Sequence, residues 1–203
     1  MERIFSLDNP VWKFIGNIAD MFFLSVLWYL CLIPVFTAGC ATSAMYYVTL
    51  KMTRDLEGKT ISQFIKSFKL NFKQTTTLWI PSVILLTILF IDIKMAVLST
   101  SAVAVFIVVI FFICLLLITI LLSMLFPLIA RCDDSTVNQL KNCVKICIRN
   151  PLASLSVALI NISLILLGLF VFWPILLIAP GFSAYLNSYV INRIFDKYSM
   201  SLE

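Results

Sequence analysis

The chain has 203 residues, of which 62% are hydrophobic and only 12% charged, with mean hydropathy +1.05 and formal net charge +5. Soluble domains carry about 25% charged residues, so this composition excludes a largely water-facing surface and implies lipid as the solvent. The charges are also segregated: no Asp, Glu, Lys or Arg occurs in 21–50, 74–91, 95–130 or 150–192.

In chain order, Asn9 is a suitable N-cap and Pro10 a suitable first helical residue, because proline's missing N–H costs nothing there. A first membrane segment is expected at about 14–33. It ends at Pro34, and the small-residue patch Thr37-Ala38-Gly39-Cys40-Ala41 precedes a second, short segment at 40–53. The same patch could be read as a lipoprotein-type cleavage site. The apolar run before it is longer than the 7–15 residues of a signal peptide, and Glu2 and Asp8 sit where a cationic region would be, so a hairpin is the expectation and no cleavable signal is expected.

Further segments are expected at 75–92, 102–130, 152–178 and 182–195, separated by the polar stretch Asp92–Ser101 and by Pro180-Gly181. The stretch 150–192 would run about 64 Å as one helix against a bilayer core of roughly 30 Å. It must therefore fold back. The resulting expectation is an all-α polytopic membrane protein, a single domain over 1–203, with six membrane segments of which the second and sixth are short.

Lysine and arginine positions provide an independent check. Six crossings gather fourteen of the fifteen basic residues on the side of both termini and leave only Lys94 opposite. Cytoplasmic loops carry the Lys/Arg excess, so both termini are expected in the cytoplasm. A four-segment alternative sends Arg3, Lys13, Arg193 and Lys197 outside and fits less well.

Two amphipathic helices are expected at the inner surface. In 61–73, Ile61, Phe64, Ile65, Phe68 and Phe72 share a face, flanked by Lys66, Lys69 and Lys73, with Thr60 and Gln63 as a capping box. In 137–149, Lys141, Lys145 and Arg149 take the corresponding places. An apolar face with a basic flank belongs in the headgroup plane of an anionic leaflet, making these six cations the expected contacts with anionic lipid or with a partner's cytoplasmic face. Thr60/Thr136, Gln63/Gln139, Phe64/Leu140 and Lys69/Lys145 pair at a 76-residue offset, the mark of a weak internal repeat or of two loops obeying one interfacial chemistry.

Little in the sequence advertises chemistry. Histidine is absent, which removes the commonest general base and metal ligand. Cys143 and Cys147 share a helix face but lack the further ligands a zinc site needs. No catalytic residue, metal, cofactor or nucleic-acid partner is expected, nor is a disulfide framework. Asp20 is the one acid within an apolar segment, a functional candidate by position that interfacial anchoring near Lys13 would also satisfy. Asn161 and Asn187, with Ser188 and Asn192, are candidates for a polar path or for hydrogen bonds between helices. Tyr46, Tyr47, Trp12, Trp28, Trp79 and Trp173 mostly lie near segment ends and fit an aromatic belt, and Pro127 and Pro174 should kink their segments.

Several stretches together resemble the YesL-like family of bacterial membrane proteins, a family of unknown function. They are "LDNPVW" at 7–12, "LWYLCLIPVFTAGCATSAMYYVTLKM" at 27–52, "FIKSFKLNFKQTTTLW" at 64–79, "LFPLIARCD" at 125–133 and "LNSYVINRIFDKY" at 186–198. Cys40 and Ala41 depart mildly from the small residues expected there. The resemblance implies a plasma-membrane protein of Gram-positive-type bacteria, of a kind often encoded beside carbohydrate ABC importers and sensor kinases, and it offers no catalytic residues to carry over. The expected function is that of a small accessory protein of such uptake systems, with a carbohydrate ABC permease as expected partner. The alternative is a stand-alone small-solute transporter or channel with a pathway at the repeat interface.

Overall fold

The computed structural model describes residues 10–56, 58–98, 102–170 and 173–198. The Asn9 cap, Arg3 and the Ser99–Ser101 part of the third break lie outside the described residues. Among the described residues the secondary structure is helical: α1 (Pro10–Leu32), α2 (Ala38–Met52), α3 (Thr60–Leu98), α4 (Ala102–Arg131), α5 (Thr136–Arg149), α6 (Pro151–Phe170) and α7 (Ala179–Lys197). Four of these, α1, α3, α4 and α6, are long and apolar enough to cross a membrane. That corrects the expectation of six. The other two candidates, α2 and α7, have a different environment. Ala38, Gly39, Cys40, Ala41, Ser43, Ala44, Tyr46, Val48, Thr49 and Leu50 of α2 are buried, as are Gly181, Ser183, Ala184, Asn187, Ser188 and Asn192 of α7. A helix sheathed by other helices needs small residues for close approach and can keep hydroxyls and amides, because protein rather than lipid satisfies them.

The expected hairpins form, with one of the turns displaced. After α1 the chain passes through Pro34 and a 3-10 turn at Val35–Thr37. The Thr37 hydroxyl donates to Pro34 O at 2.6 Å and also to Cys31 O, satisfying carbonyls that the broken helix leaves open. The Trp28 indole reaches back across the turn to the Thr42 hydroxyl at 3.0 Å, so α1 and α2 are antiparallel. In the second hairpin, α6 ends at Phe170, a 3-10 turn occupies Trp173–Leu177 and α7 begins at Ala179. Pro174 therefore belongs to the turn and does not kink a helix. Pro180 sits in the first turn of α7, where it is tolerated.

Gly181 is not the turn residue that its position beside Pro180 implied, and no described glycine has positive φ. A Cβ there would collide with Met21 O and lie 2.7 Å from the Ser25 hydroxyl. Gly181 is needed for the contact between α7 and α1, which the Ser25 hydroxyl closes by accepting from Gly181 N at 2.9 Å.

The surface helix expected at 61–73 is not a separate element. It runs without a break into the segment expected at 75–92 and on to Leu98, giving a 39-residue helix with Pro81 inside it. Asp92 and Lys94 do not end it, since neither charge conflicts with helical backbone. Thr60, Phe64, Ser67, Asn71 and Thr75 form its buried seam. Cys40 Sγ contacts Phe68 O at 3.0 Å and Gly39 abuts Trp79, so α2 packs antiparallel on the first half of α3.

The other surface helix, α5, is separate. Ser135 caps it by accepting from Asn138 N, and Asp134 accepts from Ser135 N at 2.7 Å, a carboxylate at the positive end of the helix. It ends where Asn150, with φ −132° and ψ 63°, precedes Pro151, because proline drives the residue before it out of the helical region. The 76-residue pairing does not survive as equivalent packing: Phe64 is buried where Leu140 is exposed, and Gln139 is buried where Gln63 is half-buried.

Candidate functional site

The centre of the molecule is the contact between α2 and α7. Tyr46 meets Asn187, Thr49 meets Ser188 at 2.9 Å, and Thr53 meets Asn192 at 2.7 Å. Residue numbers rise together along both helices, so the two are parallel. Asn187 is fully buried; its amide donates to Asn161 Oδ1 at 2.8 Å and to the Tyr46 hydroxyl at 3.2 Å, joining α2, α6 and α7. The two candidate asparagines thus act as a pair that ties helices together. The Asn187 Oδ1 has no partner among the described residues.

At its C-terminal end this seam runs into a charged cluster that sequence reasoning did not single out. Arg131, at the end of α4, is 7% exposed. It donates to Asn192 Oδ1 at 2.9 Å, lies 3.7 Å from Asp196 and stacks over the Phe195 ring at 4.8 Å. Arg54 donates to the same Asn192 oxygen at 3.1 Å and pairs with Asp196. Asn150, just before α6, donates to the Tyr198 hydroxyl at 2.9 Å. The C-terminal ends of α2, α4 and α7 and the start of α6 therefore meet at one end of the bundle, bringing together charged residues up to 142 positions apart in sequence.

Above Tyr46 lies a partly enclosed cavity of about 460 Å³, bounded by Trp28, Tyr29, Tyr46, Trp79, Asn161 and Leu176, among others. Of the tryptophans expected in an aromatic belt, Trp28 and Trp79 instead face this interior, whereas Trp173 is exposed. Trp79 donates its indole N–H to Val35 O at 2.8 Å, and Tyr29 donates to Leu176 O at 2.6 Å. Only the folded hairpins bring these residues together, so the sequence carried no local signal for the cavity.

The remaining candidates lie at the surface. Asp20 is half-buried and borders an open groove with Phe23, Lys59, Thr60, Ile61, Ser62 and Ile65. It does not join the Asn161–Asn187 pair. Lys66, Lys69 and Lys73 on α3 and Lys141, Lys145 and Arg149 on α5 are all exposed. On α5, Gln139, Cys143 and Ile146 form the buried face, while Val137, Leu140, Val144 and Ile148 are exposed beside the basic row. On α3, Ile61, Ile65, Leu70 and Phe72 likewise stay exposed near the lysines, whereas Phe64 turns inward.

No disulfide joins the described cysteines, and no group of three metal-ligating side chains occurs among the described residues. Cys40, in the small-residue patch after Pro34, is fully buried. On α5, the hydrogen bond from Cys143 holds the Cys147 thiol down to about 7 against the opposing effect of burial, with Ser154 adding to the lowering. The thiol of Cys143 is pushed up by the same hydrogen bond and by its burial.

Residues 21–93 match the model of a family described as a protein of unknown function, DUF624. The matched stretch holds most of α1, all of α2 and most of α3, including Trp28, Thr42, Tyr46 and Trp79 on the cavity wall. Asp20, Arg131, Asn161 and Asn187 fall outside it. No curated protein and no solved structure matches the chain.

Proposed function

We propose that this protein is a non-conducting accessory protein of a bacterial plasma membrane, of the YesL-like kind, that acts by contact with another membrane protein. The observation that carries the reading is the α2–α7 seam. Asn187, Ser188, Thr49 and Asn192 are each 7% exposed or less, and their polar groups bond across the helices. A transporter or channel at the same place would need those groups free to replace a solute's hydration. The stand-alone transporter reading is correspondingly weaker, and nothing in the site favours an enzymatic reading.

The partner surface in this proposal is the basic end of the molecule. Lys141, Lys145 and Arg149 beside an exposed apolar face suit an anionic inner leaflet and the cytoplasmic face of a permease. The family resemblance supplies the partner class, a carbohydrate ABC permease. The clustering of Arg54, Arg131 and Asp196 at the end where α2, α4 and α7 finish supports one basic side, which the Lys/Arg rule makes cytoplasmic together with both termini.

The test is affinity purification from native membranes after mild solubilisation. The reading expects an ABC permease to be recovered with the wild-type chain and to be lost from a Lys141→Glu/Lys145→Glu/Arg149→Glu variant that remains folded. Recovery of the chain with itself alone, or solute flux in proteoliposomes that contain only this chain, would contradict it.

A further inference from the structure

The cavity beside Tyr46 sits in an unusual setting. All of its lining residues come from the four stretches that contain no Asp, Glu, Lys or Arg, and the helices that carry most of them, α1, α3, α4 and α6, are the four of spanning length and hydropathy. The void therefore lies at the depth of the lipid chains.

Most of its polar groups are already engaged. The Trp28 indole donates to Thr42 and the Thr42 hydroxyl to Ala38 O. Trp79 is held by Val35 O, Tyr29 by Leu176 O, and Ser123 by Thr119 O. A polyhydroxylated solute needs several uncommitted donors and acceptors converging on it, and a trapped water needs two to four polar partners. These groups offer neither, and the unpartnered Asn187 Oδ1 is not among the lining residues. An empty void would forfeit the dispersion contacts of everything lining it. The species at hand is apolar and chain-like. A space of about 460 Å³ is several times the roughly 150 Å³ apolar cavity that takes up benzene, so it has room for an extended apolar chain.

We infer that this cavity holds one acyl chain of a membrane phospholipid, drawn in from the bilayer with its headgroup left outside. The chain packs against Trp28, Trp79 and Leu176 and reaches Tyr46 and Asn161, which also line the cavity. This assignment depends on the spanning helices and not on the accessory role, so either can fail without the other.

The burial of α2 makes the inference testable. Thr42, Met45 and Tyr46 line the cavity, and the helix is otherwise packed against protein, so a lipid chain can reach those three residues only through the void. The full chain would be reconstituted in phosphatidylglycerol bilayers carrying a diazirine at the acyl terminus, irradiated, and mapped by peptide mass spectrometry. Adducts on Thr42, Met45 or Tyr46 are expected alongside those on exposed residues such as Ile84 and Phe112. Adducts confined to the exposed residues would overturn the assignment. Ser123→Phe, which fills the cavity, should abolish the α2 adducts and leave those on Phe112; persistence in the folded variant would contradict the inference. Should that variant fail to fold, the wild-type map decides alone. Suppression of the α2 adducts by millimolar disaccharide would instead assign the cavity to a polar solute and likewise overturn it.

Discussion

Two glycines show how differently one residue type can be used. Gly181 has the Met21 carbonyl well inside contact distance of where its Cβ would stand, whereas Gly16 has nothing within 4 Å. Backbone cannot move aside as a flexible side chain can, so Gly181→Ala should cost about 1–3 kcal/mol, the usual toll of overpacking. Gly16→Ala should be neutral or stabilise by about 0.5–1 kcal/mol through helix propensity. Thermal melting of the two variants in the same detergent checks both signs. Asn187→Leu removes the amide that ties Asn161 to Tyr46 and leaves their polar atoms short of a partner. A loss of about 1 kcal/mol is expected, the scale of hydrogen bonds between membrane helices. The sequence did name Asn161 and Asn187, because amides in apolar stretches stand out. It could not pair them, since the 26 positions between them close up only when α6 and α7 fold back. Arg131 escaped notice for the opposite reason: at the edge of an apolar run it reads as one more interfacial cation, and only the packing of Phe195, Asn192 and Asp196 around it reveals its burial.

At the level of elements, local chemistry was legible at some proline and cap boundaries, though not at Pro174 or Pro180, which lie in the turn and in the first turn of α7. Pro34, the Ser135–Thr136 start and the Asn150-Pro151 stop all act as the backbone requires. It was less legible where hydropathy stood in for environment. The stretch 61–73 looked like a surface helix because apolar and basic residues alternate at helical spacing, yet no residue in 60–80 breaks a helix, and the face that packs is the small polar one that includes Ser67, Asn71 and Thr75. The misreading of Cys40 has the same origin: a small residue in a supposed turn becomes a buried residue once α2 packs on α3. Thiol chemistry separates these environments. In permeabilised membranes Cys147 should alkylate first, with a rate that climbs as pH rises through about 7 and then levels off, because the thiolate is the nucleophile and is populated above its pKa. Cys143, pushed up and buried, and Cys40, fully enclosed, should react only on unfolding. Mass spectrometry of alkylated peptides over a pH series would show the order.

At the scale of the whole molecule, α1, α3, α4 and α6, the helices long and apolar enough to cross a membrane, shelter α2 and α7, whose ends meet the Arg54–Arg131–Asp196 cluster. Arg131→Ala removes the buried guanidinium that donates to Asn192 Oδ1 and stacks on Phe195 and should destabilise the bundle by about 1.5–3 kcal/mol, the scale of a hydrogen bond to a charged group. The exposed Arg54–Asp196 pair contributes little by comparison, since side-chain exposure of 27% and 61% leaves it screened by solvent. Hydropathy revealed the lipid-facing shell directly and under-reported the interior, because helices that touch only protein need not be apolar. The account as a whole depends on the basic ends of these helices sharing one face of the membrane, the cytoplasmic one. Its most direct test is a single cysteine at the exposed α5 cap, Ser135→Cys, in a background without other cysteines, treated with a membrane-impermeant maleimide. Labelling in inverted vesicles and protection in intact cells is the predicted result; labelling in intact cells would contradict the account.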